Sequence, residues 1–280
     1  MKMFHNKLKW SMRRLNLGLP RNALVLEVGS GGNPYPRANV LLDAYEETRE
    51  RHWDELIQDR PTVLSFGENL PFRDKVFDFV IAAHVLEHTP YPEKFLDELQ
   101  RVARSGLIET PDAFMERINP YKDHRLEVTL REGGLFIRKK PSWIYDADLV
   151  ELYEKRAKSI ITSETIPRHA ADFHMRYFWK DNIKYVVVNP EVDASWIAPE
   201  VGVNISPPLL GLTAKFRLIL LAVIRYLFSQ RVRNAKINIL SLMRCPQCHS
   251  ELMIKKSANE ITCNECNSCF KTAHNTFYVH

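Results

Sequence analysis

The first 244 positions of this 280-residue sequence contain no cysteine. All five cysteines lie between Cys245 and Cys269, so the chain divides by composition into a large part without thiols and a short part that holds them all. Internal repeats and low-complexity tracts are also missing, which excludes repeat arrays. The length therefore predicts one full domain and one additional small segment.

Long hydrophobic runs are absent as well. The longest uncharged apolar run, Leu218 to Ile224, is far shorter than the roughly 20 residues that span a bilayer. Between Lys215 and Lys236 there are six basic and no acidic residues, which would suit an interfacial helix on an anionic membrane. Because charges fall all round at helical spacing, a helix between domains is the alternative. Residues 209–236 are thus expected either to contact an anionic membrane or to form a helix between domains.

Acidic residues are missing from Met1 to Arg21, which carries several Lys and Arg residues and His5. This segment also lacks the apolar core of a signal peptide, so we expect a basic arm on a cytoplasmic protein. Over the whole chain, 39 basic and 34 acidic residues give a formal charge of +5. Such a mild excess does not by itself imply nucleic acid as a partner.

A buried strand that runs into a glycine turn organises the large part. Residues 23–28 are apolar and rich in β-formers apart from Glu27, as expected of a parallel strand covered on both faces. Gly29, Gly31 and Gly32 follow at once. Glycine lets the backbone adopt positive φ and approach a ligand closely, so this turn can hold a nucleoside cofactor.

Two cofactor classes use such a turn, dinucleotides and S-adenosylmethionine. A dinucleotide fingerprint that begins at Gly29 requires glycine at position 34, which is Pro34 here. Pro34 and Pro36 also shorten the first helix, whose N-terminus would bind a pyrophosphate. S-adenosylmethionine has no phosphate, so the turn favours it. Asp43, at the end of the next strand, could accept hydrogen bonds from both ribose hydroxyls.

Alternating strands and helices predict an α/β fold with a doubly wound parallel sheet. The helix predicted from Pro92 to Val102 has apolar residues at three- and four-residue spacing, which indicates one face packed on the sheet. The predicted strands are residues 23–28, 40–43, 62–65, 77–83 and 105–110.

Four motifs in order make Leu24 to Pro111 resemble class I S-adenosylmethionine-dependent methyltransferases: the glycine turn, Glu68 to Phe72 (E-x-L-P-F), Phe77 to Val80 (F-D-x-V) and His84 to His88 (H-V-L-E-H). The resemblance implies a Rossmann-like sheet and S-adenosylmethionine as cofactor. Family members usually carry an aspartate where this chain has Phe66, so backbone groups or stacking on Phe66 should hold the adenine. The cofactor residues that it implies are Glu27, Gly29, Ser30, Gly31, Asp43, Gly67, Glu68 and His84.

Histidines just after the predicted strands are the catalytic candidates, because ligands bind outside the carboxyl ends of such strands. His84, His88 and His124 could each act as a general base. His84 and His88 are spaced by one helical turn and could bind a metal, but without a third nearby ligand the sequence favours packing and helix capping. For His124, a surface-loop role is the alternative.

Two C-x-x-C knuckles, Cys245 with Cys248 and Cys263 with Cys266, are separated by fourteen residues and predict a zinc ribbon. Each knuckle offers two thiolates, so we expect one structural Zn²⁺. Cys269 repeats the spacing, so Cys266 with Cys269 is an alternative second knuckle, although the first register is preferred. The segment resembles the small zinc-ribbon activator of tRNA and protein methyltransferases, fused in cis.

Two further hairpins and a linker are expected after the methyltransferase motifs. Residues 125–140 alternate around Glu132-Gly133-Gly134 as a hairpin does, and a helix is predicted from Asp146 to Lys158. Residues 173–189 should form a second hairpin, the antiparallel edge pair of the sheet. The domains predicted are a basic arm (1–21), the methyltransferase domain (22–190), a Pro-rich linker with a basic apolar helix (191–238) and the zinc ribbon (239–280).

The leading functional hypothesis is methylation of a small molecule or of a surface-glycan or lipid-linked precursor. The alternative is an RNA or protein methyltransferase with its activator ribbon fused in cis, so nucleic acid stays open as a partner. A third hypothesis, an interaction module on a cofactor-dead domain, is disfavoured by the intact Gly29, Gly31 and Asp43.

Overall fold

The computed structural model describes residues 10, 12–48, 51, 54–197, 211–250, 252–254, 260–273 and 276–279. The chain divides into two compact units. Unit 1 comprises Met1–Gly18, Ala82–Glu93 and Leu107–Val203, and unit 2 comprises Leu19–Ile81, Lys94–Gly106 and Asn204–His280. The domain boundaries drawn from the sequence stay a prediction.

Strands and helices alternate in the first half of the chain. The strands are β1 Val25–Val28, β2 Val40–Asp43, β3 Thr62–Leu64, β4 Phe79–Ala83, β5 Ser105–Pro111, β6 Leu126–Arg131, β7 Gly134–Lys139, β8 His174–Lys180, β9 Tyr185–Val187, β10 Leu252–Ile254, β11 Glu260–Cys263, β12 Cys269–Ala273 and β13 Thr276–Tyr278. The α-helices are α1 Pro92–Val102, α2 Ala113–Ile118, α3 Ala147–Leu152, α4 Lys158–Ile160, α5 Ile166–Arg168, α6 Ala170–Phe173, α7 Leu212–Phe228 and α8 Arg231–Asn234. Two π turns (Tyr153–Ala157 and Ile161–Thr165) and two 3₁₀ turns (Leu86–His88 and Ile239–Leu242) complete the helical segments.

Unit 2 contains the first strands of the predicted doubly wound sheet. They follow the order β3-β2-β1-β4, with β1, β2 and β3 parallel, and this order is typical of Rossmann-like sheets. The last two residues of β4 and most of β5 belong to unit 1. Every residue of β1, β2 and β3 is buried, as their continuous apolar sequences require. The five predicted strands and the helix α1 are confirmed, and the strand ends differ by at most two residues. No helix lies between β1 and β2, as Pro34 and Pro36 predict.

The cysteine-containing segment belongs to the same unit and continues its sheet. Strand β13 pairs in parallel with β3, and β12, β11 and β10 follow antiparallel. At the N-terminal end of this segment, Met243 forms a β-bridge with Phe72, and the N–H of Arg244 donates to the carbonyl of Pro71. The ribbon thus packs against the E-x-L-P-F loop and against β3.

In unit 1, the first predicted hairpin is confirmed. Strands β6 and β7 pair antiparallel from Leu126 with Lys139 to Arg131 with Gly134. Glu132 and Gly133 have φ of 51° and 76°, as a two-residue turn of type I′ requires. The helix predicted from Asp146 begins at Ala147, with the carboxylate of Asp146 accepting from the N–H of Leu149.

The second predicted hairpin is wrong. Strand β8 neighbours β5, whereas β9 pairs in parallel with β7 in a separate three-stranded sheet. The cause is the turn between them. The N–H of Asn182 donates to the carbonyl of Lys180 at 2.7 Å, so the chain reverses over three residues and leaves β8 at once. The free edge of β7 then supplies the partner of Tyr185–Val187.

Candidate active site and metal centre

The glycine turn of unit 2 has the conformation that its sequence predicts. Gly29 and Gly31 have φ of 70° and 57°, which a residue with a Cβ adopts only at a cost. The N–H groups of Gly29 and Ser30 donate to the carbonyl of Leu42 at 2.8 and 3.1 Å. The N–H of Gly31 donates to the Asp43 carboxylate at 2.9 Å. The turn is therefore fixed to the end of β2.

Two buried polar side chains shape this turn. The carboxylate of Glu27 accepts from the N–H of Tyr35 at 2.7 Å, which holds the chain after the turn against β1. The hydroxyl of Ser30 is buried and has no hydrogen-bond partner among the described residues. Since buried polar atoms are nearly always paired, this hydroxyl fits a polar group of a bound cofactor.

Asp43 is almost fully buried, and its carboxylate contacts both the glycine turn and the guanidinium of Arg51. Its Oδ1 lies 3.3 Å from Nη1 of Arg51, and Arg51 also donates to the carbonyls of Tyr45 and Glu46. A ribose hydroxyl would thus share Asp43 with Arg51 and with the N–H of Gly31. Carboxylate oxygens accept several hydrogen bonds at once, so the arrangement fits the predicted role.

The predicted adenine side of the site lies at Phe66 and Gly67. Phe66 is 45% exposed and makes an edge-to-face contact with Tyr45 at 5.7 Å between ring centroids. A Cβ on Gly67 would lie 2.4 Å from the Phe95 ring. Glycine is therefore needed there for packing on α1. Glu68 is half-buried beside it.

His84, the remaining cofactor candidate, lies in unit 1 and follows β4. Its φ is 60° and its N–H donates to the carbonyl of Glu109 at 2.7 Å. Its Nδ1 lies 3.4 Å from Oε1 of Glu87, and its Nε2 lies 3.7 Å from Oε1 of Glu109. Glu109 also pairs with Arg13 and Arg176 at 3.1 and 2.8 Å. A charged network therefore surrounds the imidazole.

This network shifts the protonation of its members. Burial lowers the pKa of His84, but the carboxylates of Glu109 and Glu87 outweigh it and raise the pKa to about 9. Burial raises the pKa of Glu87, whereas His84 lowers it to about 2. Burial also raises the pKa of Glu109, and His84 and Arg13 bring that pKa well below its ordinary value. At neutral pH, His84 is thus an imidazolium, which favours binding negative charge over acting as a base.

His88 and His124 lie together elsewhere in unit 1. Their ring centroids are 4.7 Å apart, and Glu87 joins them to form a cluster whose ligand atoms lie within 4.8 Å of one another. The prediction that His84 and His88 share one helical turn is wrong, because the helical turn begins only at Leu86 and His84 has positive φ. The third residue beside His88 is His124, which no local spacing links to it.

A cleft of about 790 Å³ opens in unit 1. Its lining combines an indole, three arginines and two histidines with two carboxylates. Sequence reasoning missed this cleft because its walls come from segments far apart in the chain. It is lined by Trp10, Arg13, Asp112, Thr129, Leu130, Pro167, Arg168, His169, Ala170, Asp172, His174, Met175 and Arg176.

The cysteines of unit 2 converge as the first register predicts. The sulfur atoms of Cys245, Cys248, Cys263 and Cys266 lie within 4.8 Å of one another. The Sγ atoms of Cys245 and Cys266 are 3.7 Å apart, and those of Cys248 and Cys263 are 3.3 Å apart. A tetrahedron with Zn–S bonds of about 2.3 Å has edges of about 3.8 Å, so the cluster fits Zn²⁺. Cys269 lies outside it, 3.6 Å from the hydroxyl of Thr262.

Both knuckles have the same backbone geometry. Cys245 and Cys263 each donate their N–H to the serine five residues later, at 2.8 and 2.9 Å. His249 and Asn267 each follow the second cysteine of a knuckle and have φ of 66° and 58°. The backbone N–H of Cys266 lowers the pKa of the Cys263 thiol, which favours the thiolate form that a metal binds.

Comparison with known proteins agrees with this geometry. Residues 26–108 match the family model of the methyltransferase domain. An uncharacterized protein of Methanocaldococcus jannaschii, MJ1123, is 41% identical over 44 residues, which are 16% of this chain and 22% of that protein. The chain thus spans only about a fifth of the length of this curated relative.

Solved structures show weaker likeness. An S-adenosylmethionine-dependent methyltransferase of Thermotoga maritima is 18% identical with a TM-score of 0.30, covering 40% of this chain and 56% of that one. A chain from the complex between the Haloferax volcanii Trm112 methyltransferase activator and a methyltransferase is 12% identical with a TM-score of 0.38, covering 63% and 89%. These scores are too low to inform function. Residues 26–108 are similar to the methyltransferase domain family, and this match includes the glycine turn at Gly29 and Gly31.

Proposed function

We propose that this chain binds S-adenosylmethionine at the glycine turn of unit 2 and transfers its methyl group to an acceptor. The observation that carries the proposal is the turn itself, in which Gly29 and Gly31 adopt positive φ within a segment that matches the methyltransferase family. Asp43 would bind the ribose, the hydroxyl of Ser30 would bind a polar group, and Phe66 would stack on the adenine. Glu27 holds the turn in shape.

The cofactor supplies a sulfonium methyl that carries its own leaving group, so the protein mainly has to align the acceptor for in-line attack. The charged network of His84, Glu109, Arg13 and Arg176 would fix an acceptor by its polar groups. Because the pKa of His84 is raised to about 9, we assign His84 to orientation and charge stabilisation in preference to proton abstraction.

We further propose that the acceptor is a small molecule or a surface-glycan or lipid-linked precursor. The cleft of about 790 Å³ in unit 1 has the size of a small-molecule site. Trp10 gives it an apolar wall, and Arg13 and Arg176, which pair with Glu109, give it charged groups. Such a lining suits a polar small-molecule acceptor. The ribbon's resemblance to a methyltransferase activator is the observation that supports the alternative, an RNA or protein acceptor.

Methyl-labelled S-adenosylmethionine distinguishes these acceptors. The full chain should transfer label from the cofactor to the small-molecule or lipid fraction of a cell extract that has been separated into metabolites, lipids, RNA and protein. A chain with Gly31→Val, which forces a β-branched residue into positive φ, should transfer none and serves as the background control. Label in RNA or protein would support the alternative acceptor. No transfer to any fraction above the control would contradict methyltransferase activity.

The helix α7 of unit 2 favours a membrane surface as a partner. Its side chains are largely exposed and apolar: Phe216, Leu218, Ile219, Leu220, Val223, Tyr226, Leu227 and Phe228 are 46–68% exposed. Exposed apolar groups on this scale indicate an interaction site. Basic residues and no acidic ones accompany them from residue 215 to 236. In the described part of the chain, no helix has the length and apolar content to cross a bilayer. We therefore propose peripheral contact with anionic lipid.

Vesicle sedimentation tests this contact. The full chain should sediment with phosphatidylglycerol vesicles and much less with phosphatidylcholine vesicles, and salt should weaken the binding because charges are screened. Replacing exposed Phe216 and Leu227 by Ser should lower the bound fraction severalfold, whereas Val186→Ser, which changes an equally exposed apolar residue of unit 1, should not. Equal binding by all variants would contradict the proposal, as would self-association that occupies the same residues without lipid.

A further inference from the structure

The cluster of Glu87, His88 and His124 in unit 1 has the donor set of a metal site. It offers one carboxylate oxygen and two imidazole nitrogens within 4.8 Å of one another. Ligand atoms of a tetrahedral site are about 3.4 Å apart, given metal–ligand bonds of about 2.1 Å. The three side chains therefore need to close by at most about 1.4 Å to share one ion.

Glu87 supplies an independent indication of a cation-binding role. Its side chain is 1% exposed, and neither carboxylate oxygen has a hydrogen-bond partner among the described residues. Its nearest charged contact is His84, at 3.4 Å, and the side chain of His84 is 43% exposed. A buried carboxylate without hydrogen bonds is costly. A cation bound between Glu87 and the two imidazoles would satisfy it.

His124 is held as metal-binding histidines are held. Its Nδ1 lies 2.6 Å from Oε2 of Glu116, and in the tautomer in which Nδ1–H donates a hydrogen bond to this carboxylate, Nε2 has the lone pair that a metal requires. Glu116 is buried and is itself fixed by Nζ of Lys140 at 2.7 Å. Ligating histidines nearly always donate their second nitrogen to a carboxylate or carbonyl in this way. The contact sets both the tautomer and the ring orientation.

We propose that Glu87, His88 and His124 bind one divalent first-row transition-metal ion, with Glu116 as a positioning residue behind His124. Two imidazoles and one carboxylate suit Zn²⁺, Co²⁺, Mn²⁺ or Fe²⁺. Three protein ligands leave at least one coordination position for water or for an oxygen of another molecule. The site is separate from the cysteine cluster, whose four thiolates would close the coordination of their own ion. The inference does not rest on the proposed methyl transfer.

Titration of the metal-free full chain with Co²⁺ tests this site, since the absorption spectrum reads the two clusters separately. Co²⁺ in the cysteine cluster produces an intense thiolate charge-transfer band, whereas Co²⁺ on nitrogen and oxygen ligands produces only weak visible bands. We expect a second equivalent of Co²⁺ to bind without adding thiolate absorption. Calorimetry of the same titration gives its affinity.

Amino-acid substitutions identify the residues that bind the second equivalent of Co²⁺. The nearly isosteric Glu87→Gln should abolish it, and so should His124→Ala. Glu116→Gln should weaken it by about 10- to 100-fold, the usual effect of losing an outer hydrogen bond. Glu151→Gln, which changes an exposed carboxylate of the same unit, should change nothing. Thermal unfolding of each variant checks that it is folded. The proposal is overturned if all Co²⁺ enters with thiolate absorption, or if folded Glu87→Gln binds the second equivalent as tightly as the unchanged chain.

Discussion

Asp43→Ala should weaken S-adenosylmethionine binding by about 1–3 kcal/mol, which corresponds to a rise in the dissociation constant of about 5- to 150-fold. The substitution removes the carboxylate that a ribose would share, and it also frees the N–H of Gly31, which Asp43 fixes at 2.9 Å. Both losses act on the bound state. Calorimetric titration of the full chain with the cofactor measures the effect.

Two controls make this result specific. Asp97→Ala removes an exposed carboxylate on α1 of the same unit and should leave the affinity unchanged. Asp43→Asn keeps one oxygen that can accept from Gly31 but loses the charge, so its affinity should fall between the other two. Equal affinity of Asp43→Ala and the unchanged chain would remove Asp43 from the ribose site, while loss of binding only in an unfolded variant would make its role structural.

Cys263→Ser should release one zinc ion and unfold the ribbon. A segment of about forty residues cannot bury enough apolar surface to fold alone, and structural zinc supplies free energy on the order of 10 kcal/mol or more. Cys263 is fully buried, 3.3 Å from the sulfur of Cys248, so its loss opens the centre of the cluster. Elemental analysis of the purified chain and circular dichroism measure the two effects.

Cys269→Ser is the matched control for this experiment. Cys269 is exposed and outside the cluster, so its replacement should keep both the zinc and the fold. Zinc loss in Cys269→Ser would favour the register in which Cys266 and Cys269 form the second knuckle. If chain purified without chelator held no zinc at all, the ribbon would not be a zinc site.

The features that local sequence encodes were predicted well. The glycine turn, the helix missing after Pro34 and the hairpin at Glu132-Gly133 each depend on residues within one short segment, and backbone sterics restrict what such segments can do. The C-x-x-C spacing is equally local. These elements therefore appear in the structure close to where the sequence places them.

The features that depend on tertiary partners were not predictable. Strand β9 has a strand-like sequence, but its partner was decided by the tight turn at Asn182 and by the free edge of β7. The histidine cluster shows the same limit. Sequence spacing linked His88 only to His84, whereas the folded chain brings His124 to it, and Glu116 is recognisable only from its buried contact with His124.

The pairing of β13 with β3 has a consequence for solubility. Without the ribbon, β3 would be the outer strand of the sheet and would present unpaired N–H and C=O groups to other chains, a common route to aggregation. In the folded chain this edge is covered, and the exposed edge moves to β10, a strand of three residues. Very short edge strands template pairing poorly. The ribbon therefore also acts as an edge cap, and resistance to aggregation would depend on its thiolates staying bound to metal.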